Sequence, residues 1–248
     1  MRKASVSAQL TGFARKFSAA IAPQLTKLDP VPTLLRRKKL SIRIGSMTQL
    51  QTALKQFVLH NSANFDPVEF EIYDDQIQQV VMTAQFYAEE LIVFEGTRRV
   101  LSVVLAECDP DADNFTLAKI RHPISGIKVY EMVSVPNRSH QYYITNCMDE
   151  TAKCEFQVHS NFWRKLLSTC GFTFVSDYWT VEQDGIPVGF VTPGGTIVGE
   201  NEIKVEWCDE ADMELRTLIL CIGLVQTIRE AFPSLLHILQ EYRIKQNS

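Results

Sequence analysis

The sequence lacks the motifs that mark the common classes of catalytic and nucleotide-binding sites. Its 248 residues contain no GxSxG, HExxH, P-loop or GxGxxG pattern, and each of those patterns places particular side chains or backbone amides around a reacting group or a phosphate. The five histidines, His60, His122, His140, His159 and His237, are isolated in sequence. We therefore predict a protein that is not an enzyme and that uses no cofactor.

One group of residues comes closest to a nucleophile set. Ser139 and His140 lie a few positions before Cys147 and Asp149. Catalytic triads are recognised by geometry rather than by proximity in sequence, and nothing in this spacing requires catalysis.

Paired cysteines are also absent. The six cysteines are scattered, form no CxxC pair and follow no secretory apolar segment. This pattern argues against a zinc ribbon and against a disulfide framework. Cys221 lies in an apolar stretch, where we expect it to behave as a small buried hydrophobe.

Acidic residues are missing from the first 28 positions, and Asp29 is the only one before residue 46. Residues 1–45 carry ten Lys and Arg, so the remaining chain keeps 15 of the 25 basic and 28 of the 29 acidic residues. An acidic body argues against a DNA-binding surface. We expect no RNA binding except through the basic residues 1–45.

The acid-free tail has an amphipathic pattern. Leu10, Phe13, Phe17 and Ile21 share one helical face, and basic residues are spaced among them. This composition is typical of a mitochondrial presequence. The alternative is a basic tail that binds anionic lipid, RNA or a partner protein.

No apolar run is long enough to span a bilayer, but one stretch is apolar on nearly every side. The alternating segment Glu202–Trp207 predicts a strand, the acidic Asp209–Asp212 predicts a helix cap, and Met213–Val225 follows. Its unbroken apolar run, Leu218–Val225, is far shorter than the roughly 20 residues of a membrane span. We therefore predict a central helix buried in protein.

The middle of the chain alternates with a period of two. Short apolar–polar runs at roughly ten-residue spacing, separated by turn signals, predict many antiparallel strands in a closed barrel or a sandwich. The runs are Phe70–Tyr73, Gln79–Met82, Leu91–Phe94, Val100–Leu105, Phe115–Ile120, Lys128–Val135, Tyr142–Thr145, Cys154–His159, Phe172–Ser176, Trp179–Gln183, Val188–Thr192 and Glu202–Trp207.

Helical periodicity flanks these strands. Residues 46–62 predict an amphipathic helix, and Pro233 opens a second one over 233–248, whose apolar face includes Leu235, Leu239 and Tyr242. The predicted organisation is a basic extension at 1–45, the helix at 46–62, a barrel at 66–232 and the helix at 233–248. The fold class is mainly β with helices (α+β): the strands form a closed antiparallel β-barrel or a sandwich, with a buried C-terminal apolar helix.

The element order resembles a known family. Phe70–Asp74, Leu91–Gly96, Trp179–Val191 and Ile203–Glu206 before an apolar helix look like the tubby C-terminal-like superfold, and within it the phospholipid scramblases and the LURP-one-related proteins. The resemblance covers about residues 66–232. It implies a twelve-stranded antiparallel barrel around a C-terminal helix.

The calcium loop expected from this resemblance is altered in two respects. The segment with Asp109, Asp111 and Asp113 resembles the calcium loop of the scramblases, but it lies about a hundred residues too early. Asn114 and Ile120 stand where a calcium loop of the EF-hand type has Gly and a bidentate Glu. We interpret the segment as a solvated turn between strands and predict no metal site; calcium binding by Asp109, Asp111 and Asp113 is the alternative.

We predict a non-catalytic accessory subunit of a mitochondrial assembly, at the inner membrane, that uses its barrel as an adaptor. The expected partners are other subunits, and the expected contacts are Arg36, Arg37, Lys38, Lys39, Leu235, Leu239 and Tyr242. The alternative is a scramblase-like protein that binds or moves an anionic phospholipid such as cardiolipin. In both cases the chain associates with a membrane without spanning it.

Overall fold

The computed structural model describes residues 27–60, 66–87, 90–106, 115–136, 138, 140–160, 177–194 and 202–246. Four helices are present in these ranges: α1 Pro32–Leu35, α2 Met47–His60, α3 Met213–Gln226 and α4 Pro233–Gln246. A π-helical turn, Thr227–Ala231, joins α3 to α4. The strands are β1 Lys39–Ile44, β2 Val68–Asp74, β3 Gln79–Tyr87, β4 Glu90–Glu95, β5 Arg98–Leu105, β6 Thr116–Arg121, β7 Lys128–Ser134, β8 Gln141–Asn146, β9 Ala152–Ser160, β10 Asp177–Gln183, β11 Ile186–Pro193 and β12 Glu202–Trp207.

The twelve strands form one closed antiparallel barrel. Each strand from β2 to β12 pairs with its neighbours in chain order, and β1 closes the ring between β12 and β2. In the closing pairs Leu40 lies opposite Val205, and Ile42 lies opposite both Ile203 and Ile72. Closure leaves none of these twelve strands with an unpaired edge, which removes a common route to aggregation. The predicted fold class is confirmed.

Strand β1 belongs to the barrel, although the sequence placed residues 39–44 in the basic extension. Leu40 and Ile42 are fully buried, while Lys39 and Arg43 are partly exposed. Ser41, between them, is also buried, and its hydroxyl donates to the carboxylate of Asp75 at 2.7 Å. The barrel therefore includes a strand N-terminal to residue 66, where the sequence predicted that the barrel begins.

Helix α3 fills the lumen of the barrel. Asp212 caps its first turn, with the carboxylate accepting the amide of Leu215 at 2.8 Å. Every residue from Leu215 to Gln226 is buried, and the inward side chains of the strands surround the helix in one core. A helix with this all-round apolar surface is stable only when it is enclosed.

Two glycines allow the helix to approach the wall. A Cβ at Gly223 would lie 2.3 Å from Cγ1 of Val205 and 3.0 Å from Cδ1 of Ile42. A Cβ at Gly189, on β11, would lie 2.5 Å from Cδ1 of Ile219. The space between helix and wall is therefore closed at these points.

Helices α2 and α4 pack on each other at the end of the barrel where α3 leaves it. The buried face of α2 contains Leu50, Ala53 and Phe57, and Arg243 of α4 donates to the carbonyl of Leu105 at the end of β5. No single described helix is long and apolar enough to cross a membrane. Two consecutive segments, Met213–Ala231 and Pro233–Glu241, would be long and apolar enough only if they formed one helix, and a bend of 85° separates them.

Candidate interaction surface at the entry end of the barrel

The barrel has two different ends. We call the end where α3 begins the entry end. It is formed by the turns at 75–78, 96–97, 122–127, 147–151 and 184–185 and by the loop 208–212. The opposite end, which carries α2 and α4, is the exit end. Because neighbouring strands are antiparallel, successive hairpins alternate between the two ends.

Helix α1 lies over the entry end and is held there by Arg216. Arg216 of α3 is 9% exposed, and its guanidinium donates to the carbonyls of Leu34 and Leu35 at 3.2 and 3.1 Å. It also donates to the carbonyls of Ala211 and Asp209 at 2.7 and 3.2 Å. The planar fork of an arginine can serve several acceptors at once, which a lysine cannot do. Arg216 thus joins the segment before β1 to the start of the core helix.

A second clamp holds the chain just before α1. Glu95, at the end of β4, accepts from the amide of Thr33 at 3.2 Å, while Arg98 contacts Glu95 at 2.6 Å and the carbonyl of Pro30 at 3.3 Å. Burial alone would raise the pKa of Glu95, but the hydrogen bonds from Thr33 and Arg98 lower it below its ordinary value. The carboxylate therefore stays charged at neutral pH and keeps both contacts.

Most of the predicted basic contact cluster is used inside the protein. Arg37 contacts Asp74 at 2.7 Å, Lys38 contacts Asp209 at 2.7 Å, and Lys39 pairs with Glu206. Arg37 and Asp74 are largely buried, whereas both members of the Lys38 pair are two-thirds exposed. Arg36 is exposed. Of the four residues, Arg36 and Lys38 are the ones accessible to a lipid or a partner, and that contact stays a prediction.

The predicted contacts on α4 need correction. Leu235 and Leu239 are both 0% exposed, because the apolar face of α4 packs on α2 and on the exit end of the barrel. They are core residues in this structure and present no surface to a partner. Tyr242 lies within α4, and its side chain falls outside the described part of the chain.

The candidate metal ligands cannot be placed. Asp109, Asp111 and Asp113 lie outside the described residues. Within the residues that the structure describes, no group of three or more His, Cys, Asp or Glu could hold a metal ion.

The nucleophile set considered from the sequence does not assemble. His140 precedes β8 at the exit end, whereas Cys147 and Asp149 follow β8 at the entry end. A six-residue strand separates the two ends by roughly 20 Å. Ser139 lies outside the described residues.

A shallow depression between β8, β9 and β10 opens to solvent, with an empty volume of about 440 Å³. Tyr143, Lys153, Cys154, Glu155 and Glu182 contribute to its lining. Burial, with a smaller contribution from the charges of Glu214 and Glu155, raises the pKa of the Cys154 thiol to about 12. A thiol with such a pKa is protonated at neutral pH and is a poor nucleophile.

Among the described residues, six exposed apolar side chains lie in α1, within the entry-end turns or directly next to one, and the sequence did not single them out. Leu35 ends α1, and the others lie in or beside the hairpin turns. They are Leu35 (59% exposed), Ile77 (49%), Ile124 (79%), Ile127 (40%), Met148 (61%) and Ile186 (64%). We call these residues the apolar tips. Single exposed apolar residues are ordinary. These six share one end of the barrel, in α1 and in turns distributed around the rim, and we treat that end as the candidate interaction surface.

The turn that presents Ile124 and Ile127 is held in shape by His122. His122 is 3% exposed, and its Nδ1 accepts from the amides of Ser125 and Ile124 at 3.2 and 3.4 Å. Gly126 adopts a φ of +68°, which favours glycine, and its amide bonds the carbonyl of His122 at 2.9 Å. The exposure of these two isoleucines is therefore a fixed property of the turn.

Acidic side chains surround the tips on one side of the entry end. Asp149, Glu150, Asp184 and Glu210 are exposed and lie in the same turns as Met148 and Ile186 or in the adjoining loop. None of the four makes an ion pair within the described part of the chain. Hydrogen bonds from Thr151 lower the pKa of Asp149 below its ordinary value. This side of the entry end is negatively charged at neutral pH.

Comparison with known proteins gave no match. The chain matches no family model, no curated protein and no solved structure. Any inference about its function therefore depends on its own residues and fold.

Proposed function

We propose that this protein is a non-catalytic accessory subunit of a larger assembly and that its barrel is an adaptor that docks through the entry end. The observation that carries the proposal is the set of apolar tips, exposed together at one end of a barrel whose lumen is filled by its own helix. A filled lumen cannot hold a small molecule, so recognition would use the outer surface. Apolar residues rimmed by charged ones are typical of protein interfaces.

We further propose a place and a fold family for the adaptor. The acid-free, basic and amphipathic residues 1–28 support a mitochondrial location, and the predicted setting is the inner membrane. The closed twelve-stranded barrel around a C-terminal helix supports membership of the tubby C-terminal-like superfold, alongside the scramblases and the LURP-one-related proteins.

A second candidate function is binding of anionic phospholipid, such as cardiolipin. The supporting observation is Leu35, which is 59% exposed and is followed by the exposed Arg36 and Lys38. Each cationic side chain near an anionic membrane contributes about 1 kcal/mol of attraction. The exposed acids Asp149, Glu150 and Asp184 would be repelled by the same membrane. We therefore favour a protein partner.

Native electrophoresis of mild-detergent extracts tests the subunit proposal. We expect the endogenous protein to migrate with a complex many times larger than its own 28.2 kDa. The double variant Ile124→Ser with Ile186→Ser should leave that complex, because it removes two of the most exposed apolar tips. A matched control, Val58→Ser with Leu59→Ser, removes two exposed apolar residues of α2 at the exit end and should remain in the complex.

Migration of the wild-type protein as a free monomer would contradict the proposal. In that case binding to cardiolipin-containing vesicles at low salt, with loss on Arg36→Ala, would support the lipid alternative. Failure to bind such vesicles would count against both functions.

A further inference from the structure

We propose that the protein's own N-terminal segment, residues 1–26, docks on the acidic side of the entry end and covers apolar tips there. The described chain begins at Lys27 and reaches α1 through Leu28 and Pro30, beside the β4–β5 turn. The segment that precedes it is therefore tethered to the entry end. The inference goes beyond the proposed function, because it concerns the isolated full-length chain, in which this segment would compete with a partner for the apolar tips.

The charges of the two surfaces are complementary. Residues 1–26 contain four basic side chains, Arg2, Lys3, Arg15 and Lys16, and no acidic one. The receiving surface exposes Asp149, Glu150, Asp184 and Glu210. Opposite potentials of this kind select a partner and fix its orientation.

The apolar residues of the segment also match the apolar tips of the receiving surface. Leu10, Phe13, Phe17 and Ile21 are spaced for one face of a helix, and such a face needs an apolar surface to lie on. Met148 and Ile186, on neighbouring hairpins of the same acidic side, present that surface together with Ile124 and Ile127. Helix-in-groove recognition uses the same i, i+3, i+4 anchors.

The tether is long enough. From the β4–β5 turn to the β8–β9 turn is four strands, or roughly 19 Å around the barrel, and to the β10–β11 turn roughly 29 Å. Residues 22–26 can extend by up to about 17 Å, and the twelve residues 10–21, counted at the helical rise that their spacing predicts, add roughly 18 Å. Both hairpins are thus within reach, and a tethered partner has a high effective concentration.

Cross-linking of the full-length chain with a short amine-reactive reagent tests this proposal. Lys153, at the start of β9, reports on the entry end, and Lys55, on α2, reports on the exit end. We expect Lys16 to link to Lys153 and not to Lys55. In the double variant Glu150→Gln with Asp184→Asn the yield of the Lys16–Lys153 link should fall about fivefold, since two exposed charge contacts are lost. Neither substitution changes a reactive amine.

The matched control is Asp66→Asn with Glu241→Gln. It also removes two negative charges, but at the exit end, and should leave the yield of the Lys16–Lys153 link unchanged. Equal linking of Lys16 to both ends, or an unchanged yield in the Glu150 and Asp184 variant, would overturn the proposal.

Two further outcomes would assign the tips to another occupant and also overturn it. In a mixture of isotopically light and heavy protein, links found only between light and heavy chains would identify a second copy. Absence of entry-end links, with binding to cardiolipin-containing vesicles that Ile124→Ser abolishes, would identify a membrane.

Discussion

Gly223 lies where the core helix comes closest to the barrel wall, against Val205 of β12 and Ile42 of β1. Glycine in a helix interior ordinarily costs about 1 kcal/mol relative to alanine. Here the absence of a side chain is what permits the approach. At the scale of single residues, the fit between helix and wall therefore outweighs helix propensity.

Replacement of Gly223 by alanine should destabilise the protein by about 1–2 kcal/mol, because overpacking costs more than the gain in helix propensity. The change can be read from the urea midpoint at constant m-value. Gly189→Ala should act in the same direction, since its Cβ would lie 2.9 Å from the carbonyl of Glu206. A gain in stability for Gly223→Ala would show that the helix is not in contact with the wall.

Cys154 gives a pH dependence with a definite sign. Its pKa is raised from 9.0 to about 12 in the folded protein, first by burial, so the unfolded chain releases the proton at lower pH. The stability contributed by the protonated thiol is complete below about pH 9 and is lost as the pH rises through 12. By about pH 10 the loss should be about 1 kcal/mol.

The difference between the wild-type protein and Cys154→Ala isolates this effect. The urea midpoint of the wild-type protein should exceed that of the variant by a larger margin at about pH 8 than at about pH 10. An unchanged difference would mean that the thiol is accessible and titrates normally.

At the scale of elements, the start of the core helix is fixed by a local signal. The carboxylate of Asp212 caps α3, and its neighbour Asp209 only forms an exposed ion pair with Lys38. Loss of an N-cap costs about 1 kcal/mol, while an exposed ion pair contributes little.

Asp212→Ala should therefore lower the free energy of unfolding by about 1 kcal/mol, and Asp209→Ala by less than about 0.5 kcal/mol. Thermal and urea unfolding of the two variants supply the comparison, and both carry the same charge change in one loop. Equal losses would refute the capping role.

The elements that the sequence predicted well are those with a strong local pattern. Residues Met213–Val225 combine an acidic cap with an apolar surface all round, and the observed helix ends one residue later. The strand pattern likewise predicted a barrel. Strand β1 was missed because its six residues follow prolines and a basic cluster, which are typical of an extension.

The interaction surface could not be predicted in the same way. Ile77, Ile124 and Ile186 lie in or next to three separate turns, and only the antiparallel order of the strands brings those turns to one end. The apolar face of α4 was predicted from its spacing, but spacing does not say what covers it. Leu235 and Leu239 turned out to face the protein's own core.

At the scale of the whole molecule, the two ends have different roles. The exit end is covered by α2 and α4, which bury their apolar faces on each other and on the barrel. The entry end carries α1, held by Arg216 and Glu95, and leaves the apolar tips exposed. The proposed adaptor role would use a rigid body and one accessible surface, and this arrangement is compatible with both.

The barrel is closed around its own helix, and the proposed recognition on the outer surface depends on that closure. Hydrogen exchange measured by mass spectrometry tests it most directly. Amides of α3 should exchange only through global unfolding and be the slowest in the chain, whereas those of the more exposed α2 should exchange through local opening. Exchange of α3 at the rate of α2 would show that the helix leaves the lumen, and would contradict the account.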